Sequence, residues 1–171
     1  LETSLLYIDF SKDEFELGGS TLGQILNKLG KKTPTIKDNL YFLKTFDAVQ
    51  ELIKSNQILS GHDISEGGLI TALLEMNFAN VNGGMKNNLN EYNETNAKKV
   101  LFSEKPAIIV QVSNSAAVIN ELAKKGIEAI NIGSPSKERS ISLELGNWNK
   151  TIDINESRTN WYKTSFLLDQ Q

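Results

Sequence analysis

The chain has no cysteine. That excludes disulfide scaffolds, cysteine zinc sites and thiol nucleophiles within its 171 residues. A single histidine, His62, excludes multi-histidine metal sites. No apolar run approaches the roughly 20 residues that a membrane span needs, and no signal-peptide pattern opens the sequence. Basic charge is not in excess. Lys and Arg number 18 against 21 Asp and Glu, a net charge of −3, which argues against a generic nucleic-acid binder. Internal repeats and low-complexity tracts are missing too. What is present is a globular composition, 39% hydrophobic and 23% charged, enough for a real core and against disorder. A reducing, cytoplasmic compartment is the expectation. Leu1 is not a methionine, and Asp169-Gln170-Gln171 carries no helix stop. Both ends are expected to be cuts from a longer chain.

Hydrophobic periodicity predicts the elements. Residues Thr3 to Phe10 read as a strand covered on both sides, with Leu6 and Ile8 on one face and Leu5 and Tyr7 on the other. Leu22, Ile25, Leu26 and Leu29 form one helical face, with Ser20 as N-cap and Gly30 as stop. Phe42, Phe46, Val49 and Ile53 trace a second helical stripe. Ile58 to Asp63 reads as a short strand running into a loop. A third helix, carrying Leu69, Ala72, Leu73 and Met76, is expected to start near Glu66 or Gly67. Asn77 to Asn96 reads as turns plus one weak strand, the least ordered part of the chain. Ala107 to Val112 is a buried central strand, and Ser115 to Lys125 a helix stopped by Gly126. Glu128 to Ile132 and Ser140 to Leu145 are strands, and Thr151 to Ile154 closes a hairpin across Gly146-Asn147. Asn155 is the expected cap of a last helix with Trp161, Phe166 and Leu167. The order of elements predicts an α+β domain, a mixed β-sheet with helices packed on it.

One stretch carries candidate chemistry: Gly61-His62-Asp63-Ile64-Ser65-Glu66-Gly67-Gly68-Leu69. A strand ends, polar side chains follow, and two glycines open a helix. The first N–H groups of a helix lack internal partners and its dipole is positive there, so an anion fits. Gly67 and Gly68 allow close approach of a phosphate. Asp63 supplies a hard oxygen suited to Mg²⁺, and Ser65 a hydroxyl for a phosphate oxygen. His62 can donate a hydrogen bond or carry a proton. The plainer account stands beside this one: Ser65 caps the helix, Asp63 bonds a turn, and His62 is a satisfied, partly buried side chain. Caps are commoner than ligand loops, so the residues alone favour the plainer account. Gly18-Gly19-Ser20 is a second junction of this kind, a substrate-phosphate loop or a cap, with the cap favoured. Glu104 has no partner visible in the sequence.

The blocks and their order do more than the single loop. Gly-Gly-Ser-Thr-Leu-Gly-Gln (18–24), Leu-Lys-Thr-Phe-Asp-Ala-Val-Gln-Glu-Leu-Ile (43–53) and His-Asp-Ile-Ser-Glu-Gly-Gly-Leu (62–69) follow one another. Leu-Glu-Met-Asn-Phe-Ala (74–79), Leu-Phe-Ser-Glu (101–104) and Ile-Val-Gln-Val (109–112) complete the series. This pattern resembles the carboxy-terminal domain of the AIR-synthetase-like superfamily, and within it the phosphoribosylformylglycinamidine (FGAM) synthases. The tail Arg-Thr-Asn-Trp-Tyr-Lys-Thr-Ser (158–165) is similar to the segment that follows the second such domain in the large, single-chain form.

The resemblance implies an AIR-synthetase-like domain over residues 1–155, and over 156–171 a terminal helix leading toward a glutaminase domain outside this piece. It implies an ATP-dependent C–N ligase of purine biosynthesis that makes FGAM from formylglycinamide ribonucleotide, glutamine and ATP. The cysteine nucleophile of the glutaminase part would lie outside the chain. The implied ligands are ATP or ADP and Mg²⁺, and the implied partners are the remaining synthetase domains and the glutaminase domain. No nucleic acid and no membrane are expected as partners. It also turns the local weighing around: Asp63 is implied as a Mg²⁺ ligand and Ser65 as a nucleotide contact at an auxiliary site. No catalytic residue is implied in this piece, His62 being the one candidate, and the piece alone is expected to be inactive. Alternatives are another enzyme of the superfamily (AIR synthetase, selenophosphate synthetase, thiamine-phosphate kinase) or a purely structural nucleotide-anchoring module. Glu66 stands where aspartate is usual, Asn77 and Asn80 replace small residues, and Lys105-Pro106 replaces a leucine-glycine pair. The last change is expected to reroute the start of the strand at Ala107.

Overall fold

Alternation along one short strand decides the layering. The computed structural model describes residues 2–170, so Leu1 and Gln171, which enter the reading of the two ends, lie outside the described residues. In strand β1 (Ser4–Asp9), Leu5 and Tyr7 point to one face and Leu6 and Ile8 to the other, and all four are buried. A strand apolar on both faces needs cover on both. The first face receives α3 (Gly68–Phe78) and α4 (Ala97–Phe102), and the second receives α2 (Asn39–Lys54) and α5 (Ser115–Lys124). The expectation of a mixed sheet with packed helices holds.

The sheet has seven strands. After β1 come β2 (Ile58–Asp63), β3 (Gly84–Asn88), β4 (Ala107–Val112), β5 (Ala129–Ser136), β6 (Ser140–Leu145) and β7 (Trp148–Asp153). Their order across the sheet is β2-β4-β1-β5-β3-β6-β7. The β3–β6 pair is parallel and the others are antiparallel. The predicted hairpin forms, with Leu145 opposite Trp148 and Gly146 in the left-handed region at φ 57°. Ile141, Leu143 and Leu145 all face the core, as their alternation predicts.

Several expectations need correction. The helix opened by Ser20, α1, spans only Thr21–Ile25, and Ile25 and Leu29 are 73% and 76% exposed. Its apolar face is not a core face. Asn27 takes φ 52°, and Gly30 packs its backbone against Gly18 rather than ending a helix. In α2 the period is right, and Val49 and Phe42 of the expected stripe pack on the core, but the centre of the buried face is shifted by about one residue. Tyr41, Thr45, Ala48, Val49 and Leu52 are buried, while Phe46 and Ile53 face outward. One residue is about 100° of helix rotation, so a small phase error moves a stripe off the sheet. The last helix, α6 (Ile154–Asp169), is capped by Asp153, which accepts from the Glu156 N–H at 2.8 Å, and not by Asn155. Helix α4 was not foreseen. The Asn-rich segment contains the expected strand, β3, and Met85, Leu89 and Tyr92 anchor it in the core.

Lys105 does not reroute the start of β4. Ala107 opens the strand opposite Asp9, and the Phe10 N–H donates to the Pro106 carbonyl at 3.0 Å. Lys105 turns inward, 4% exposed, and donates to Asp9 Oδ2 at 3.1 Å and to the Asp13 carbonyl at 2.7 Å. Its Nζ lies 4.4 Å from the Phe15 ring centroid.

Candidate functional site

The loop between β2 and α3 is built on the edge strand of the sheet. β2 pairs with β4 so that His62 lies opposite Ile109 and Asp63 opposite Ile108. The strand therefore reaches as far as Asp63, and both residues sit on a fixed backbone rather than in a loop. Ile64 is buried and donates its N–H to the Ala107 carbonyl at 2.8 Å, which fastens the far side of Asp63. Next, the Gly68 N–H donates to the Ser65 carbonyl at 3.0 Å, closing a turn. Gly67 and Gly68 take φ 83° and 74°. Only glycine adopts two such residues in succession without strain. Gly68 also has a neighbour problem: a Cβ there would lie 2.7 Å from the Leu101 carbonyl oxygen and 2.8 Å from Phe102 Cα.

The side chains separate into two groups. Asp63 has a carboxylate 77% exposed, with His62 Nδ1 3.9 Å away. Ser65 and Glu66 are exposed. Ser65 does not cap α3, whose N-cap is Gly67 with no side-chain hydrogen bond. His62 is engaged locally. Its Nδ1 lies 2.7 Å from the Asp63 carbonyl oxygen and its Nε2 3.2 Å from Glu75 Oε2, so each ring nitrogen faces an oxygen. Glu75 lies on α3, and its pairing with His62 crosses from helix to strand edge, which no sequence period reveals.

The second glycine junction is a cap. Ser20 Oγ accepts from the Gly23 N–H at 3.2 Å and donates to the Leu17 carbonyl at 2.8 Å. The Gly18 N–H donates to the Lys32 carbonyl at 2.7 Å and the Gly19 N–H to the Leu29 carbonyl at 2.8 Å. These donors are used within the loop.

Glu104 is the residue that sequence reasoning missed. One oxygen, Oε1, accepts from the Thr21 N–H at 2.8 Å and from the Gly67 N–H at 2.9 Å. The two glycine junctions are thus tied to one carboxylate. The partners are 83 and 37 residues away in sequence, so no local pattern signals them.

Among the described residues, no group of three or more His, Cys, Asp or Glu side chains is placed to hold a metal ion. A single carboxylate still fits Mg²⁺ where phosphate and water oxygens complete the shell. Asp63 meets that requirement, since its carboxylate is exposed at the end of a fixed strand. Elsewhere, a cleft of about 640 Å³ is lined by Tyr7, Asp9, Phe15, Tyr92 and Lys105, among others, on a different part of the fold. Burial pushes the Tyr7 and Tyr92 hydroxyls well above the usual tyrosine range, and the nearby Asp9 carboxylate adds to the effect.

Against known proteins, residues 13–146 match the family described as AIR synthase related protein, C-terminal domain. The match covers well over half of the chain, and the chain belongs to that family. Curated relatives that it matches include FGAM synthases. It is 34% identical over 169 residues to the probable phosphoribosylformylglycinamidine synthase, chloroplastic/mitochondrial, of Arabidopsis thaliana, covering 97% of this chain and 12% of that protein. To the phosphoribosylformylglycinamidine synthase of Homo sapiens it is 30% identical over 172 residues, covering 97% of this chain and 13% of that protein. The chain therefore spans about an eighth of the length of these relatives. The fold matches T. maritima PurL complexed with ATP at a TM-score of 0.68 and 13% identity, over 90% of this chain and 25% of that one. It also matches E. coli HypE, a hydrogenase maturation protein, at 0.55 and 17% identity, over 89% and 49%. Among the described residues no helix is long and apolar enough to cross a membrane. The organellar name of the Arabidopsis relative means that a cytoplasmic location is not a property of the relatives as a group.

Proposed function

We propose that the chain is a domain of an FGAM synthase, the second AIR-synthetase-like carboxy-terminal domain of the large form. The whole enzyme would use formylglycinamide ribonucleotide, glutamine and ATP to make FGAM, glutamate, ADP and phosphate. In this reading residues 1–155 form the domain, and 156–171 lead toward the glutaminase part. The domain's share is to hold a nucleotide with Mg²⁺, and alone it is inactive. Mg²⁺ would neutralise phosphate charge and fix its orientation.

The observation that carries the reading is the pairing of a free-standing carboxylate and a hydroxyl, Asp63 and Ser65, two residues apart on a backbone fastened on both sides. Asp63 would ligate the metal and Ser65 would contact the nucleotide. His62, engaged with the Asp63 carbonyl and Glu75, would support the strand end rather than act on substrate. Ser20, with Gly18 and Gly19, would serve as a cap and not as a phosphate loop. The need for other domains is supported by large exposed apolar side chains. Leu40 is 79% exposed and Leu29 76%, and Trp161, Tyr162, Phe166, Leu167 and Leu168 line a poorly covered α6.

The test is Asp63→Asn and Ser65→Ala in the full-length protein. Nucleotide is released by denaturing the purified protein and counted per chain, and turnover is followed alongside. Each variant is expected to lose bound nucleotide at least tenfold while keeping its circular dichroism. Retention of nucleotide at the wild-type level in both would defeat the assignment. Turnover of formylglycinamide ribonucleotide by the 171-residue chain alone would also contradict it.

A further inference from the structure

Both glycine junctions end on the same atom, Glu104 Oε1, and the chemistry of that contact assigns Glu104 a role. Thr21 is the first residue of α1 and Gly67 the N-cap of α3. N–H groups at helix starts have no partner inside the helix, and they carry the positive end of the dipole. A carboxylate placed between two such groups satisfies both and complements their charge. At α3 the N-cap residue itself, a glycine, has no side chain that could do so. Glu104 is itself held from both sides. Ser103 is buried at the end of α4, and Lys105 is buried and bonded to Asp9 and Asp13.

We infer that Glu104 is a positioning residue: its carboxylate locks the Gly67 turn to the Thr21 junction and so fixes the frame from which Asp63 and Ser65 reach a nucleotide. The inference rests on the proposed nucleotide role of those two residues and deepens it. The Gly67 N–H is given to Glu104 and the Gly68 N–H to the Ser65 carbonyl. These glycines therefore shape the turn, and phosphate contact falls to the Ser65 hydroxyl and to the metal on Asp63. Glu104 acts only through the loop.

The test uses the full-length protein with Glu104→Gln, Glu104→Ala and Glu104→Asp. Glutamine keeps a carbonyl oxygen with two lone pairs, enough for both N–H groups, while alanine keeps none. Aspartate is one methylene shorter and reaches one junction at most. The first readout is amide hydrogen exchange at Thr21 and Gly67 without nucleotide. Alanine is expected to speed exchange at both about tenfold or more, glutamine to leave both within about threefold, and aspartate to release at least one. The second readout is Mg-ADP affinity by calorimetry. Alanine is expected to weaken it about tenfold, in the range seen when groups supporting a metal ligand are removed, and glutamine to change it little.

Wild-type protection at both amides in the alanine variant overturns the inference. If that variant does not fold, the same result in the aspartate variant overturns it. Glutamine weakening Mg-ADP as much as alanine, with both amides still protected, also overturns it, because the charge would then be meeting metal or nucleotide directly. Wild-type protein that takes up no Mg-ADP defeats the nucleotide reading instead. The exchange results then show whether the lock itself stands.

Discussion

Replacing Gly68 by alanine should damage this protein more than replacing its neighbour Gly67, although both have positive φ. At φ 83° for Gly67 and 74° for Gly68, a Cβ costs about 1–2 kcal/mol at either position. The difference lies in what the new methyl meets. At Gly68 it would stand 2.7 Å from the Leu101 carbonyl oxygen and 2.8 Å from two backbone atoms of Phe102. These atoms belong to α4, whose Leu101 is buried in the core, so the backbone cannot yield without moving that packing. Such overpacking adds about 1–3 kcal/mol. The unfolded chain also loses entropy, which offsets about 0.4–1 kcal/mol. The net cost for Gly68→Ala is therefore about 2–4 kcal/mol. At Gly67 the neighbour is the Thr71 side chain, which can rotate or be trimmed. Gly67→Ala should cost about 1 kcal/mol, and adding Thr71→Ala should relieve the contact. Urea unfolding followed by circular dichroism measures both. With a slope of about 2 kcal/mol per molar, the Gly68 midpoint should fall by about 1–2 M. A Gly68→Ala midpoint equal to or above that of Gly67→Ala would refute the reasoning.

Two other predictions concern the cleft beside β1. Lys105→Met strands the Asp9 carboxylate, which among the described residues keeps the Ser11 N–H at 2.9 Å and the Ser11 hydroxyl at 2.8 Å. Removing one partner of a buried ion pair costs about 3–5 kcal/mol, and these remaining bonds reduce that to about 2–4 kcal/mol. Combining Lys105→Met with Asp9→Asn should recover at least about 1 kcal/mol relative to the sum of the single changes, and strict additivity in urea unfolding would rule out the coupling. Tyr7 and Tyr92 bear on alkaline stability. Their folded hydroxyls stay protonated above the usual value of 10, so above that pH the unfolded chain releases protons that the native state keeps. Stability is complete below pH 10 and falls as pH rises, by about 1.4 kcal/mol per pH unit for each tyrosine. Tyr7→Phe with Tyr92→Phe should flatten this fall between pH 10 and 11, and an equal slope in both proteins would sink the account.

Much of the architecture was legible from residue order. Strand β1 shows why: side-chain direction alternates by covalent geometry, so Leu5-Leu6-Tyr7-Ile8 announces two covered faces before any partner is known. The β6–β7 hairpin and the Gly126 stop are local in the same sense. The phase of α2 was not legible, because a helix with apolar residues on several sides is oriented by what it packs against. Nor was the fate of α1, whose apolar residues satisfy helical spacing yet meet solvent within the described residues.

The candidate site divides along the same line. Sequence alone determined the double-glycine turn, the carboxylate and hydroxyl before it, and the family pattern that contains them. The turn, the carboxylate and the hydroxyl lie within nine positions of one another, and the family pattern is an order of such short local blocks. Only the tertiary structure decided that Asp63 stands exposed at a strand end while His62 is engaged with Glu75. It alone brought Glu104 to both glycine junctions and Lys105 to Asp9. The reason is physical: a hydrogen bond between groups 37 to 96 residues apart leaves no periodic trace, and it exists only once the sheet has set the distance.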